Sequence, residues 1–330
     1  MKLSDEQLRG LVNASQLYDT WRDVMVELSQ MPGGMYWRVI NSKEYLYQYA
    51  TSAGRQQTKY VGPKTHGIEE KYRDFKQTKK DLEVRCEGIE KRIKELAPAW
   101  RALHLPAIDS TAGKILRAFD LDSSVRQSML VIGTYALRAY EVEAASVFAA
   151  GMDATEDLDF TLVFNQSNVD PDLPRRLLLI LKGVDSSFIV AQSSPKTVVN
   201  KNGYKVDLLI DTTSAQQMAS ARPWKPEALE GQEWLARGNP VKVVLIDFQG
   251  WPVAISVPDP RYFALHKLWL SKRRGRPPAK ATKDKNQGEA LLKTIKDHMP
   301  HYPMNESFVS GLPDPLRTQF VGFKAETAGS

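Results

Sequence analysis

Cysteine is nearly missing from these 330 residues, and Cys86 stands alone. One thiol closes no internal disulfide and cannot build a thiolate metal centre. Histidine is scarce as well. His66, His104, His266, His298 and His301 include no pair at metal-ligand spacing, which argues against a histidine-built hydrolase such as a phosphodiesterase. Neither GxxxxGK[ST] nor GxGxxG occurs, so a P-loop or dinucleotide fingerprint is excluded. No apolar run approaches the length of a membrane span, and MKLSDEQLRG lacks the apolar stretch of a secretory signal. The expected setting is cytoplasmic, without a membrane. Charge of neither sign dominates: Lys and Arg number 45 against 39 Asp and Glu, a net +6. That excess suits a polyanionic partner without demanding one. With 42% hydrophobic and 25% charged residues, the chain reads as globular, with material for two or more domains.

What is present centres on Leu130–Phe160, LVIGTYALRAYEVEAASVFAAGMDATEDLDF. Leu130, Val131 and Ile132 predict a buried strand ending in the turn Gly133-Thr134. Tyr135 to Val147 suits a helix. In TEDLDF, Asp157 and Asp159 lie two apart and share one strand face, while Leu158 and Phe160 take the other. Two adjacent acids raise each other's cost of ionising. A divalent cation removes that cost, and oxygen ligands suit Mg²⁺. Downstream, YKVDLLID (204–211) alternates so that Asp207 opposes the apolar set Val206, Leu208 and Ile210. A lone Asp-x-Asp is most often a solvated strand face. The preceding IGT turn and the later VDLLI strand lift this one above that background.

A Gly-Thr turn, an apolar-flanked Asp-x-Asp and a third acid on another strand resemble the nucleotidyltransferase superfamily that includes DNA polymerase beta. The resemblance implies that Gly133 and Thr134 hold nucleotide phosphates. It also implies that Asp157, Asp159 and Asp207 are catalytic and bind two Mg²⁺ or Mn²⁺ ions. The implied reaction moves an NMP from an NTP, ATP among them, to an acceptor hydroxyl of RNA, tRNA or protein. Further stretches resemble a bacterial group of stand-alone nucleotidyltransferases: MYWRVINSKEYLYQ, VGPKT, VIGTYALRAYE, ATEDLDF, VDLLI, and VPDPRYFALHKLWLSKR followed by KATKDKNQ. Broad relatives of this type include abortive-infection toxins that modify tRNA or protein. That likeness implies nucleotide binding by Lys267, and a role for Lys283 and Asp284 in ordering the cleft.

The fold class expected is α/β (α+β), a mixed-sheet nucleotidyltransferase core with extensions at both ends. Residues 1–105 are read as an amphipathic helix with a Ser4/Gln7 capping box, a three-stranded meander, and a charged helix over 69–96 stopped by Pro98. Residues 106–215 form the core, with a hairpin around Asn202-Gly203 leading into the Asp207 strand. Residues 216–330 supply a hairpin and helices that complete the cleft, with His266 and Lys267 near it and a loop-like tail after Pro300. Helix 69–96 has a short coiled-coil-like seam that suits a helical hairpin or a dimer contact. Tyr and Trp interleave with Arg and Lys over 36–60, and SKRRGRPPAKATKDK carries seven cations. Both 36–60 and 272–285 are candidates for nucleic-acid contact. The plainer readings are ring packing for the first and a solvated loop for the second. A rival to the enzyme is a catalytically silent protein of the same fold, acting as an antitoxin-like binding partner.

Overall fold

The computed structural model describes residues 2–52, 55–148, 157–164, 170–218 and 222–328. Its first helix begins with the expected capping box. The Ser4 amide donates to Gln7 Oε1 at 2.9 Å, and the Gln7 amide donates to Ser4 Oγ at 3.3 Å. Helix α1 (Asp5–Gln30) leads to an antiparallel meander of β1 (Gly34–Ile40), β2 (Lys43–Ser52) and β3 (Arg55–Pro63). Asn41 and Ser42 both have positive φ, the twist that tight hairpins favour. Helix α2 (His66–Ala102) then continues past Pro98. The proline removes one N–H near the end of the helix, and the following turn persists because Trp100 is buried.

The chain divides into two compact units, residues 16–98 and residues 1–15 with 99–330. In the smaller unit, one face of the meander packs on α2. Trp37 meets Tyr72 at 5.6 Å between ring centroids, Leu46 is fully buried, and Gly62 lies against Ile68. Cys86 is a core residue beside Met25 Sδ, at 3.7 Å, and burial pushes its thiol pKa up.

The larger unit continues with β4 (Ala107–Ile108), α3 (Ser110–Asp120), α4 (Ser123–Ser128), β5 (Met129–Ile132), α5 (Tyr135–Glu143) and β6 (Asp157–Leu162). The expected loop before β6, residues 149–156, lies outside the described residues, as do 165–169 of the polar stretch after it. Next come α6 (Leu173–Val184), β7 (Ile189–Ala191), β8 (Ser194–Val199) and β9 (Lys205–Ile210). Asp109 caps α3, accepting the Thr111 and Ala112 amides at 2.7 and 3.0 Å.

Then follow α7 (Thr212–Gln217), β10 (Glu227–Ala228), α8 (Gln232–Leu235) and the hairpin β11 (Val241–Asp247) with β12 (Pro252–Val257). Helices α9 (Pro260–Ser271), α10 (Pro278–His298), α11 (Glu306–Ser310) and α12 (Asp314–Ala328) finish the chain. The basic stretch 272–285 is therefore half turn and half helix. Gly275 turns with positive φ, and Pro278 opens α10, where a proline's missing N–H costs nothing. The tail is not a loop either: Leu312, Leu316 and Phe320 fall four apart and are all buried.

The main sheet runs β5-β6-β9-β8-β7, with β10 extending the β8 side of β9. Strands β6 and β9 are parallel; β5 with β6, and β8 with β9, are antiparallel. Alternation sends Leu158, Phe160, Leu162, Val206, Leu208 and Ile210 into the core. Asp157, Asp159 and Asp207 are left on the opposite face.

Candidate functional site

Register brings two of the acids together. In the parallel pair β6–β9, Asp159 lies directly opposite Asp207, and Asp157 opposite Lys205. Neighbouring strands stand about 4.8 Å apart, and opposed residues share a face. Asp159 and Asp207 are thus side by side, although 48 positions apart in sequence. Asp157 sits at the exposed start of β6, on the same face.

Above them lies the turn from β5 to α5. Ile132 pairs with Asp159, so Gly133 follows just past the carboxylate. Gly133 has φ +72°, and a Cβ there would come within 2.4 Å of Asp159 Oδ2. Only glycine satisfies both the backbone and the space. Thr134 is buried and stands at the N-cap of α5, with no side-chain capping bond.

Asp159 keeps a strip of surface open, yet protein packs densely around it. Its pKa is pushed up to about 6 from the usual 3.8. Burial is the main cause. The Asp207 charge adds to it, Lys267 opposes it, Asp157 raises it further and Lys196 opposes it weakly. Asp207 is oriented from β8. Thr197 Oγ1 donates to Asp207 Oδ1 at 2.6 Å, and Lys196 Nζ lies 3.9 Å from Asp207 Oδ2 while pairing with Glu227. Lys267 Nζ donates to Asp284 Oδ1 at 2.8 Å, and Arg276 Nε reaches Asp284 Oδ2 at 2.8 Å. Asp284 is 2% exposed, so it fixes both cations from beneath.

The residues outlined by the sequence therefore divide. Asp159, Asp207 and Gly133 are in one place; Asp157 and Lys267 act on Asp159 through their charge. His266, expected near the cleft, is instead in the core, 3% exposed between Trp234 and Trp269. Lys196, Thr197 and Glu227 escaped notice in the sequence. A signal for Thr197 existed: counting back from the Asn202-Gly203 turn along the hairpin sets Thr197 opposite Asp207.

The donor set is all oxygen, and two facing acids carry a repulsion that a hard divalent cation would relieve. Among the described residues no three His, Cys, Asp or Glu side chains are gathered into a metal cluster. The fit to a cation is thus that of the Asp159–Asp207 pair, with Asp157 at its open edge.

A family model described as nucleotidyltransferase matches residues 110–312, more than half of the chain and all of this site. No curated protein matches. Among solved structures, the chain is similar to an antigenic nucleotidyltransferase-like protein from Paracoccidioides brasiliensis. The identity is 16% over 66% of this chain and 90% of that one, with a TM-score of 0.37. From the extent of the family match, this chain belongs to the nucleotidyltransferase family.

Proposed function

We propose that the protein transfers a nucleoside monophosphate from an NTP to an acceptor hydroxyl on RNA, tRNA included, or on protein. Family membership supports nucleotidyl transfer in general. The observation that carries the finer reading is the opposition of Asp159 and Asp207 under a turn that only glycine can make. In this reading the acceptor oxygen bonds to the α-phosphorus and the bond to the pyrophosphate oxygen breaks. The hydroxyl proton passes to Asp207. Thr197 holds the Asp207 carboxylate in one orientation, as a group taking a proton requires. Asp157, Asp159 and Asp207 would hold Mg²⁺ or Mn²⁺, which would neutralise charge on the triphosphate and the leaving pyrophosphate. Gly133 lets the main chain approach a phosphate, and α5 begins two residues later, so its first amides would add to anion binding. Lys267, fixed by Asp284, adds positive charge on that side. A toxin or defence role through modified tRNA or protein is the setting such chemistry would serve.

The test is incubation of the purified chain with each α-labelled NTP, Mg²⁺ or Mn²⁺, and total RNA. Label should enter a macromolecule, and Asp207→Ala and Asp159→Asn should each abolish its entry with the fold intact. Incorporation that survives both changes would overturn the proposal.

A further inference from the structure

One segment of the smaller unit, residues 34–80, carries the chain's whole charge imbalance. Residues 34–80 hold ten Lys and Arg against four Asp and Glu, an excess of six. The remaining residues hold 35 of each sign. In the other basic stretch, 272–285, acids meet three of the cations: Arg273 pairs with Glu230, Arg276 with Asp284 and Lys285 with Glu289.

Within 34–80 the meander has two unlike faces. Trp37 and Leu46 lie on the face packed on α2. By alternation and register, Tyr36, Tyr45, Tyr47, Tyr49 and Tyr60 lie on the other, with Arg38 opposite Tyr45. Their rings form one connected patch. Tyr36 stacks on Tyr47 at 6.0 Å and 21°, Tyr47 meets Tyr60 at 5.6 Å, Tyr60 meets Tyr45 at 6.1 Å, and Tyr36 meets Tyr49 at 6.3 Å. Gly34 makes room for the last ring, since a Cβ there would come 2.5 Å from the Tyr49 hydroxyl. None of the five is buried, and Tyr60 is 50% exposed.

We propose that this open tyrosine face binds an unpaired stretch of nucleic acid. Every base offers a π-face to a ring, whereas a duplex keeps its bases stacked inside and out of reach of a flat sheet. The phosphates supply the negative charge that residues 34–80 complement. The inference is independent of the transfer chemistry, because binding is read without NTP or metal.

The experiment uses the full chain and fluorescein-labelled twelve-nucleotide U and dT strands, against a duplex of equal length, read by anisotropy. The single strands should bind more tightly than the duplex, and binding should weaken as salt rises. Tyr47→Ser and Tyr60→Ser should each weaken binding on the order of tenfold, while Tyr60→Phe, which keeps the ring, should stay within about twofold. Circular dichroism should show the variants folded. Ultraviolet cross-linking of the unaltered protein to the U strand should yield adducts within residues 34–63, which keeps the test valid should a variant misfold. Binding of either strand supports the proposal, and the tighter one names the sugar. Equal or tighter duplex binding, retained affinity in the Ser variants, or adducts confined to other segments would each overturn it.

Discussion

Every buried polar or charged side chain among the described residues lies in the unit of 1–15 and 99–330. In residues 16–98, which hold 27 charged side chains, none of those described is buried. The contrast separates two ways of using charge. A buried ion must be matched where it sits, or it costs several kcal/mol. The larger unit matches its own: Asp247 meets Arg117 at 3.0 Å, Asp259 meets Arg261 at 2.7 Å and Asp284 meets Lys267 at 2.8 Å. Asp159 breaks the pattern, for its strongest charged neighbour is another acid. An arrangement that stability alone would discard points to chemistry. In the smaller unit, charge stays in water, where each ion pair is worth little and only the total matters.

Five measurements can break or sharpen that contrast. The largest effect belongs to the mismatched acids: Asp159→Asn or Asp207→Ala should lower transfer by about 10³-fold or more, seen in labelled-NTP assays. Gly133→Ala comes next. Its Cβ would collide with Asp159 Oδ2 at a φ of +72°, so transfer should fall roughly 10²-fold and stability by about 1–2 kcal/mol in urea melts.

Third is the pH dependence of Asp159 in EDTA. Its folded pKa, about 6, lies above the usual 3.8. The folded state thus keeps a proton that the unfolded chain releases, and stability drops as pH rises from about 4 to 6. Asp159→Asn should remove that drop and gain on the order of 2 kcal/mol at pH 7.5 but little at pH 4. An equal effect at both pH values would refute the explanation. Fourth, His266 has its pKa lowered to about 3 by burial, and its Nε2 has no hydrogen-bond partner. The unfolded chain takes up the proton first, so stability falls as pH drops from about 6.5 toward 3. His266→Leu should recover on the order of 2 kcal/mol at pH 5 relative to its effect at pH 8. The smallest effect is on the exposed pair Arg92–Glu95, 3.2 Å apart: Arg92→Ala should change stability by less than about 0.5 kcal/mol.

How far the residues revealed the fold varied with how local each signal was. The capping box, the three-stranded meander, the Gly133 turn and the hairpin into Asp207 depend on near neighbours, and all could be read directly. Opposition of Asp159 and Asp207 needs a parallel pairing across 48 positions; the matching polar-apolar alternation of their strands hinted at it without fixing the register. Pro98 misled because a breaker was weighed without the buried Trp100 beyond it. The tail misled because its polar composition hid the four-residue spacing of Leu312, Leu316 and Phe320. Lys196 could not have been singled out, since its place beside Asp207 depends on a side chain reaching across from β8.

The β6–β9 pairing has one more consequence, for the order in which the protein is made. A ribosome delivers Asp157 and Asp159 well before Asp207, and neither early acid has its partner until β9 has emerged and docked parallel to β6. A nascent or prematurely ended chain lacking that strand would carry the turn and the first two acids but could not unite the pair. The paired carboxylates therefore form late and all at once.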